Sequence, residues 1–188
     1  RVRVGTPPRG LRCYLAVRGG IDVPPVLGSR SRDVLAGLGP EPLTPGDEVR
    51  VGREVVSGEA GWPRVDAVVV PSLAAVALLR VVPGPRADRI VDPQRLVVGE
   101  WRASADTDRV GTRLEGAAPL EHRDPGRQLP SEGALRGAVQ VPPSGEPVLF
   151  GADHPVTGGY PVVGVVVDAD VDRAAQLRPG DPVRFRWA

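Results

Sequence analysis

Short apolar runs, most of them closed by glycine or proline, set the rhythm of this chain. They are LRCYLAVRG (residues 11–19), EVVSG (54–58), AVVVPS (67–72), ALLRVVPG (77–84), LVVGEWRAS (96–104), AVQVPP (138–143), EPVLFG (146–151) and YPVVGVVVDA (160–169). Several alternate with period two, and turn residues recur at spacings of about ten residues, which predicts many short β-strands in a barrel or sandwich rather than a doubly wound sheet. Helical patterns are few. SRSRDVLAGLG (29–39) predicts a short helix or turn with a serine N-cap and Gly37 or Gly39 as its stop. ADVDRAAQLRPG (169–180) predicts a helix of about one or two turns, with Asp170 near its N-terminus and Arg173 and Leu177 four apart. PQRLVV (93–98) is a third helical stretch, and the charged LEHRDPGRQLPSEG (120–133) reads as an exposed loop.

One phrase occurs twice: LTPGDEVRVG (43–52) returns as LRPGDPVRFR (177–186). In each, a Pro-Gly-Asp turn precedes an alternating segment, proline presetting φ and glycine admitting positive φ. A common β-turn used twice and a true internal duplication are both consistent with it, and both predict β-structure.

Composition narrows the partners. A length of 188 residues supports a real core, and residues 1–188 are read as a single domain. The absence of methionine and the strand-like opening RVRVG mark it as a fragment of a longer chain lacking its N-terminal region. The 24 basic residues, all arginine, against 23 acids give a net charge of +1 and no basic stripe, which argues against nucleic acid. The longest apolar stretch, VDAVVVPSLAAVALLRVV (65–82), is broken by Pro71 and falls short of the roughly 20 residues of a membrane helix. Cys13, placed by alternation on a strand, is the single cysteine and cannot close an internal disulfide, which fits a cytoplasmic protein. Arginine without lysine, with abundant Ala, Gly, Val and Pro, points to a GC-rich bacterial genome.

The chemistry concentrates in GADHPVTGGYPVVGVVVDAD (151–170). His154 is suited to proton exchange near neutral pH, and Asp153 beside it would orient the ring or bind substrate N–H groups. Neighbours on a strand point to opposite faces, so both serve one cleft only if the chain turns, as TGGYP would allow. In the alternative, the segment is a strand-initiating turn in which His154 caps a backbone carbonyl. Gly158 and Gly159 admit a ligand close to the backbone, and Pro161 fixes the exit into the strand. GSRSRD (28–33) offers Ser29, Arg30, Ser31 and the N–H groups of a helix start to an anion, or else is a solvated cap. RGGID (18–22) reads as a tight turn. With only His122, His154 and a distant Cys13, no metal site is expected. GxGxxG, P-loop and G-x-S-x-G patterns are absent.

Four phrases together are specific: YLAVRGGIDVPPVLGSRSRD (14–33), DRVGTRLEG (108–116), SEGALRGAVQVPPSGEPVLFGADHPVTGGYPVVGVV (131–166) and QLRPGDPVRFR (176–186). In order and over nearly the whole chain, they resemble the KipA-like family, also called allophanate hydrolase subunit 2 or the biotin-dependent carboxyltransferase family. That family is similar to the C subunit of the bacterial ATP-dependent 5-oxoprolinase complex. The resemblance implies a mainly β fold, a cyclophilin-like β-barrel with a few short helices. It also implies a KipI-like partner, the B component of that complex, together with its A component, and an amide or lactam substrate. It maps a cleft onto Asp153, His154, Thr157, Gly158, Gly159, Tyr160 and Pro161. On that reading, Asp153 and His154 are expected as the catalytic residues, His154 transferring a proton, Arg30 or Arg109 is expected to bind the substrate carboxylate, and Ser29 and Gln140 are expected as further substrate contacts. No cofactor is expected on this chain: ATP belongs to the complex, and biotin enters only if the reaction is carboxyl transfer to urea or a related amide. Without chemistry of its own, the chain would instead be a regulator that binds a KipI-like inhibitor of a sensor kinase. Two phrases depart from the family pattern. PGPRADRI (83–90) has Arg86 and Arg89 where H-A-D-W is usual, and Thr112 replaces an aromatic residue; both changes remove stacking surface.

Overall fold

The computed structural model describes residues 1–34, 36–53, 73–116 and 118–188. The chain gathers into two compact units, Arg1–Arg12 with Val70–Ala188 in one and Cys13–Val69 in the other.

The first unit is a closed barrel. Its strands are β1 (Ala77–Pro83), β2 (Trp101–Ala103), β3 (Gly111–Gly116), β5 (Ala138–Gln140), β6 (Val148–Phe150), β8 (Val162–Val166) and β9 (Pro182–Trp187), in the spatial order β1-β8-β5-β6-β3-β2-β9. All neighbours are antiparallel except β1 and β9, which close the ring in parallel with Leu79 opposite Phe185. Strands β4 (Glu132–Gly133) and β7 (Thr157–Gly158) form a separate two-stranded sheet. Two short helices, α1 (Arg95–Val98) and α2 (Asp168–Ala174), and a 3-10 turn at Ala87–Arg89 complete the unit. The fold class read from the sequence, mainly β with a barrel and a few short helices, is the one observed.

Period-two alternation explains the core. Leu79 and Val81 of β1, Leu114 of β3, Val139 of β5, Leu149 of β6, Val163 of β8 and Val183 and Phe185 of β9 are buried together, with Leu96, Val171, Ala174 and Leu177 joining from the helical stretches. Thr112, two residues before Leu114 on β3, shares its face and is also buried. The outward residues of β5 and β6 are covered as well: Ala138, Val148 and Phe150 form a second small core with Ala134 and Val162.

Several segments differ from the sequence reading. LRCYLAVRG is irregular rather than a strand, and Cys13, Tyr14 and Leu15 are exposed. Alternation specifies a face but supplies no pairing partner. The turn expected in RGGID is present, with Gly20 N–H donating to Val17 O at 2.9 Å. The described residues of SRSRDVLAGLG take the turn, the second of the two expected forms, rather than the helix: Asp33 and Leu38 exchange both backbone hydrogen bonds, at 2.9 and 3.1 Å, and Asp33 Oδ1 accepts the Ala36 N–H. An aspartate that satisfies the backbone locally competes with the helix. LTPGDEVRVG keeps its turn but launches no strand, only an isolated bridge from Val51 to Ile21. The first part of LVVGEWRAS is helix α1, as PQRLVV suggests, and only Trp101–Ala103 is strand. EVVSG and AVVVPS lie outside the described residues.

Candidate functional site

The approach to Asp153 is built by β3 and β6 side by side. Asp108 opens it: its Oδ1 accepts the N–H groups of Val110 (2.8 Å) and Gly111 (3.1 Å), turning the chain into β3. Gly151 N–H then donates to Val110 O at 2.8 Å, and Asp153 N–H to Arg109 O at 3.0 Å. This backbone pairing brings the Arg109 guanidinium against the Asp153 carboxylate, Nε to Oδ2 at 2.9 Å, with both side chains about half exposed.

His154 follows the turn at Ala152–Asp153, and further bends lie at Val156 and at Tyr160, the latter directly after the double glycine. Its ring stacks on Phe150, with centroids 5.7 Å apart and planes 13° from parallel. Its Nδ1 lies 2.8 Å from Pro155 O. A carbonyl oxygen only accepts, so Nδ1 carries a proton, and whenever the ring holds a single proton Nε2 is the nitrogen with a free lone pair. The carbonyl-capping alternative is therefore what the ring does at Nδ1, and that same bond fixes the tautomer a proton acceptor needs.

The remaining candidates of this unit lie along the small sheet. Thr157 and Gly158 form β7, opposite Gly133 and Glu132 of β4. Gln140, at the end of β5, lies beneath: a Cβ on Gly158 would sit 3.6 Å from Gln140 Oε1, an ordinary contact. A Cβ on Gly159 would approach Leu129 O at 3.4 Å. Neither glycine has a positive φ, so the fold itself does not demand glycine here. Tyr160 is exposed, and Pro161 O accepts the Val141 N–H at 2.9 Å as β8 begins.

Ser29 and Arg30 belong to the second unit. Ser29 Oγ accepts the Ser31 N–H at 3.1 Å, and Arg30 Nε donates to Val23 O at 3.1 Å. They sit on a loop and not at a helix start, so the helix-based anion site expected there is not formed. Arg30 instead lines a cavity of about 400 Å³ with Ile21, Val23, Pro40, Leu43 and Val49.

Three residues beside these candidates make contacts that the sequence alone did not show. Phe150 is the platform for His154, and its signal was period two, which sets it on the outward face with Val148. Arg86 and Glu132 form an ion pair, and 46 residues of separation leave no local trace of it. Among the described residues, no three His, Cys, Asp or Glu side chains gather as a metal-binding group would need, and no helix is long and apolar enough to cross a membrane.

Residues 1–187 match the family of carboxyltransferase domains, subdomains A and B. The chain is 35% identical over 187 residues to the C subunit of 5-oxoprolinase from Escherichia coli K12, covering 98% of this chain and 59% of that relative. A crystal structure of TTHA0988 superposes with a TM-score of 0.69 at 35% identity, covering 89% of this chain and 32% of that one. That of the K. lactis urea amidolyase does so with a TM-score of 0.77 at 26% identity, over 95% of this chain and 12% of the other.

Proposed function

The chain belongs to the carboxyltransferase-domain family, subdomains A and B, and from that premise we propose that it is part of the C subunit of an ATP-dependent 5-oxoprolinase. In this reading it works in the cytoplasm with a KipI-like B component and with an A component to open 5-oxo-L-proline to L-glutamate. The observation that carries it is the 35% identity, across 98% of the chain, to the E. coli C subunit. Three features support it: a histidine bonded to a carbonyl through Nδ1, an arginine-carboxylate pair, and a glycine pair beside an amide side chain offer the donors and acceptors that a small polar amide needs.

A lactam is a stable amide, and phosphorylation of its carbonyl oxygen by ATP makes ring opening by water feasible. ATP is assigned to the complex, since this chain carries neither a P-loop nor GxGxxG. The residues of this chain bind and move protons. Gln140 offers both an amide donor and an acceptor to the lactam N–H and C=O. Arg109, already oriented by Asp153, takes the substrate carboxylate, and His154 Nε2 accepts a proton from the attacking water.

The experiment is lactam-dependent ATP hydrolysis by the full-length protein assembled with its partners. His154→Ala should lower turnover by about 10²–10⁴-fold; unchanged turnover would remove His154 from the mechanism. The likeness to urea amidolyase favours a second reading, carboxyl transfer to urea or a related amide from a biotinylated partner. Titration with 5-oxoproline and with urea separates the two, since binding of urea alone would select the second.

A further inference from the structure

Strands β4 and β7 are two residues each and, among the described residues, pair only with one another. A sheet of that size does not hold itself together in water, yet it carries Thr157 and Gly158 of the candidate cleft. Three ties hold it. Ala134 N–H donates to Val156 O at 2.8 Å. Ala134 packs on the small core of Ala138, Val148 and Phe150. The third tie is ionic: Arg86 Nε donates to Glu132 Oε1 and Oε2 at 3.0 and 3.1 Å, and its Nη2 bonds Oε1 as well.

The two ends of that ion pair are anchored differently. Arg86 is fixed to the barrel, its N–H donating to Val162 O at 3.0 Å at the head of β8, just before the turn that leads to the fully buried Ile90. Glu132 is the first residue of β4 and stands opposite Gly158 in register. A barrel-fixed guanidinium thus grips a strand that has little else to hold it, directly across from the glycine that overlies Gln140. The other charges facing the pair are Arg89 toward Glu132 and Asp88 toward Arg86. The hydrogen bonds from Arg86 hold the Glu132 carboxyl below the usual carboxylate range, so the pair is charged at neutral pH.

We propose that Arg86 and Glu132 are positioning residues, an ionic latch that sets the 156–160 segment over Gln140 and so shapes the candidate cleft. The inference rests on reading that cleft as the amide site, but its first test does not. Amide hydrogen exchange on the full-length protein should show Ala134 and residues 156–158 exchanging roughly two- to fivefold faster in Glu132→Gln and in Arg86→Gln, the scale of a partly exposed ion pair acting on local opening. Leu114, whose N–H is bonded to Pro147 O inside the barrel, should be unchanged. The charge-reversed double variant, Arg86→Glu with Glu132→Arg, should restore protection. In wild type, about 1 M salt, where the Debye length is about 3 Å, should accelerate the same amides. Unchanged exchange in both single variants, or acceleration shared equally with Leu114, would overturn the latch. In titrations, the single variants should bind 5-oxoproline several-fold more weakly and the double variant should recover. Failure of wild type to bind 5-oxoproline counts against the proposed function and leaves the exchange result standing.

Discussion

Asp170 has no exposed surface, yet it is surrounded by cations that reach partly into solvent. Its Oδ2 accepts the Arg80 backbone N–H at 2.9 Å and Arg80 Nε at 2.8 Å, while Oδ1 accepts Arg80 Nη2 and Arg173 Nη1, each at 3.1 Å. Through these bonds α2 is pinned to β1, and Val167 N–H adds a bond to Arg80 O at 2.9 Å. The Arg80 hydrogen bonds outweigh the opposing effect of burial and hold the Asp170 carboxyl below its ordinary range. A carboxyl with a lowered folded value binds its proton more readily when unfolded. Its contribution to stability is therefore complete above the unfolded value of about 4 and is lost as pH falls through the folded one. Asp170→Asn should cost about 2–3 kcal/mol at pH 7, less than the full cost of breaking a buried pair because Arg80 and Arg173 can turn to solvent. Urea unfolding at pH 7 and at pH 3 checks it: the gap between wild type and variant should narrow in acid, and a constant gap would show that the charge of Asp170 is not what the fold uses.

The repeated Pro-Gly-Asp phrase separates what an element inherits from its own residues from what its neighbours supply. Both copies make the same turn: Thr44 N–H donates to Asp47 Oδ2 at 2.7 Å and Arg178 N–H to Asp181 Oδ2 at 2.8 Å, with Gly46 and Gly180 at φ of 103° and 87°. Only the second launches a strand. There Gly180 N–H donates to Ala103 O at 2.7 Å and Ala103 N–H to Asp181 O at 3.0 Å, so β2 receives the turn on both sides. Gly180→Ala, strained at that φ although no atom would clash, should cost about 1 kcal/mol and speed exchange of the Ala103 amide. Gly46→Ala should leave that amide unmoved; equal acceleration by both would contradict the assignment. The same distinction governs what was legible. ALLRVVPG, EPVLFG and YPVVGVVVDA state both a strand and its buried face, and they are strands. LRCYLAVRG states as much and is not one, because a ladder partner is a property of the fold and not of the segment. The Asp153-His154 pair could be read because its members are adjacent. Phe150, Arg86 and Glu132 could not, since strand register and a 46-residue crossing bring them in.

At the scale of the molecule, the ring has a seam and an arc that carries candidate residues, and they are distinct. Strand β9 closes the seam, pairing with β1 from Ala77↔Val183 to Val81↔Trp187 and with β2 at Trp101↔Val183. The candidate residues of the barrel unit attach to the contiguous arc β8-β5-β6-β3, through Pro161, Gln140, Phe150 and the turn at Arg109 before β3. Removing residues 182–188 would strip both seam edges of partners and take Val183 and Phe185 out of the core. At about 1.5–3 kcal/mol for each fully buried side chain, this removes a large share of a typical 5–15 kcal/mol stability. The truncated protein should show no cooperative melting by circular dichroism and should aggregate through the bare edges of β1 and β2. Deleting Ala188 alone forfeits one bond, its N–H to Val81 O at 3.0 Å, and should cost about 1 kcal/mol. Because the seam lies away from the arc, milder seam changes such as Val183→Ala should lower the fraction of folded protein while leaving the KM of the folded remainder unchanged. Active-site titration alongside kinetics measures both, and a KM that moved with Val183→Ala would show that the seam and the cleft are coupled.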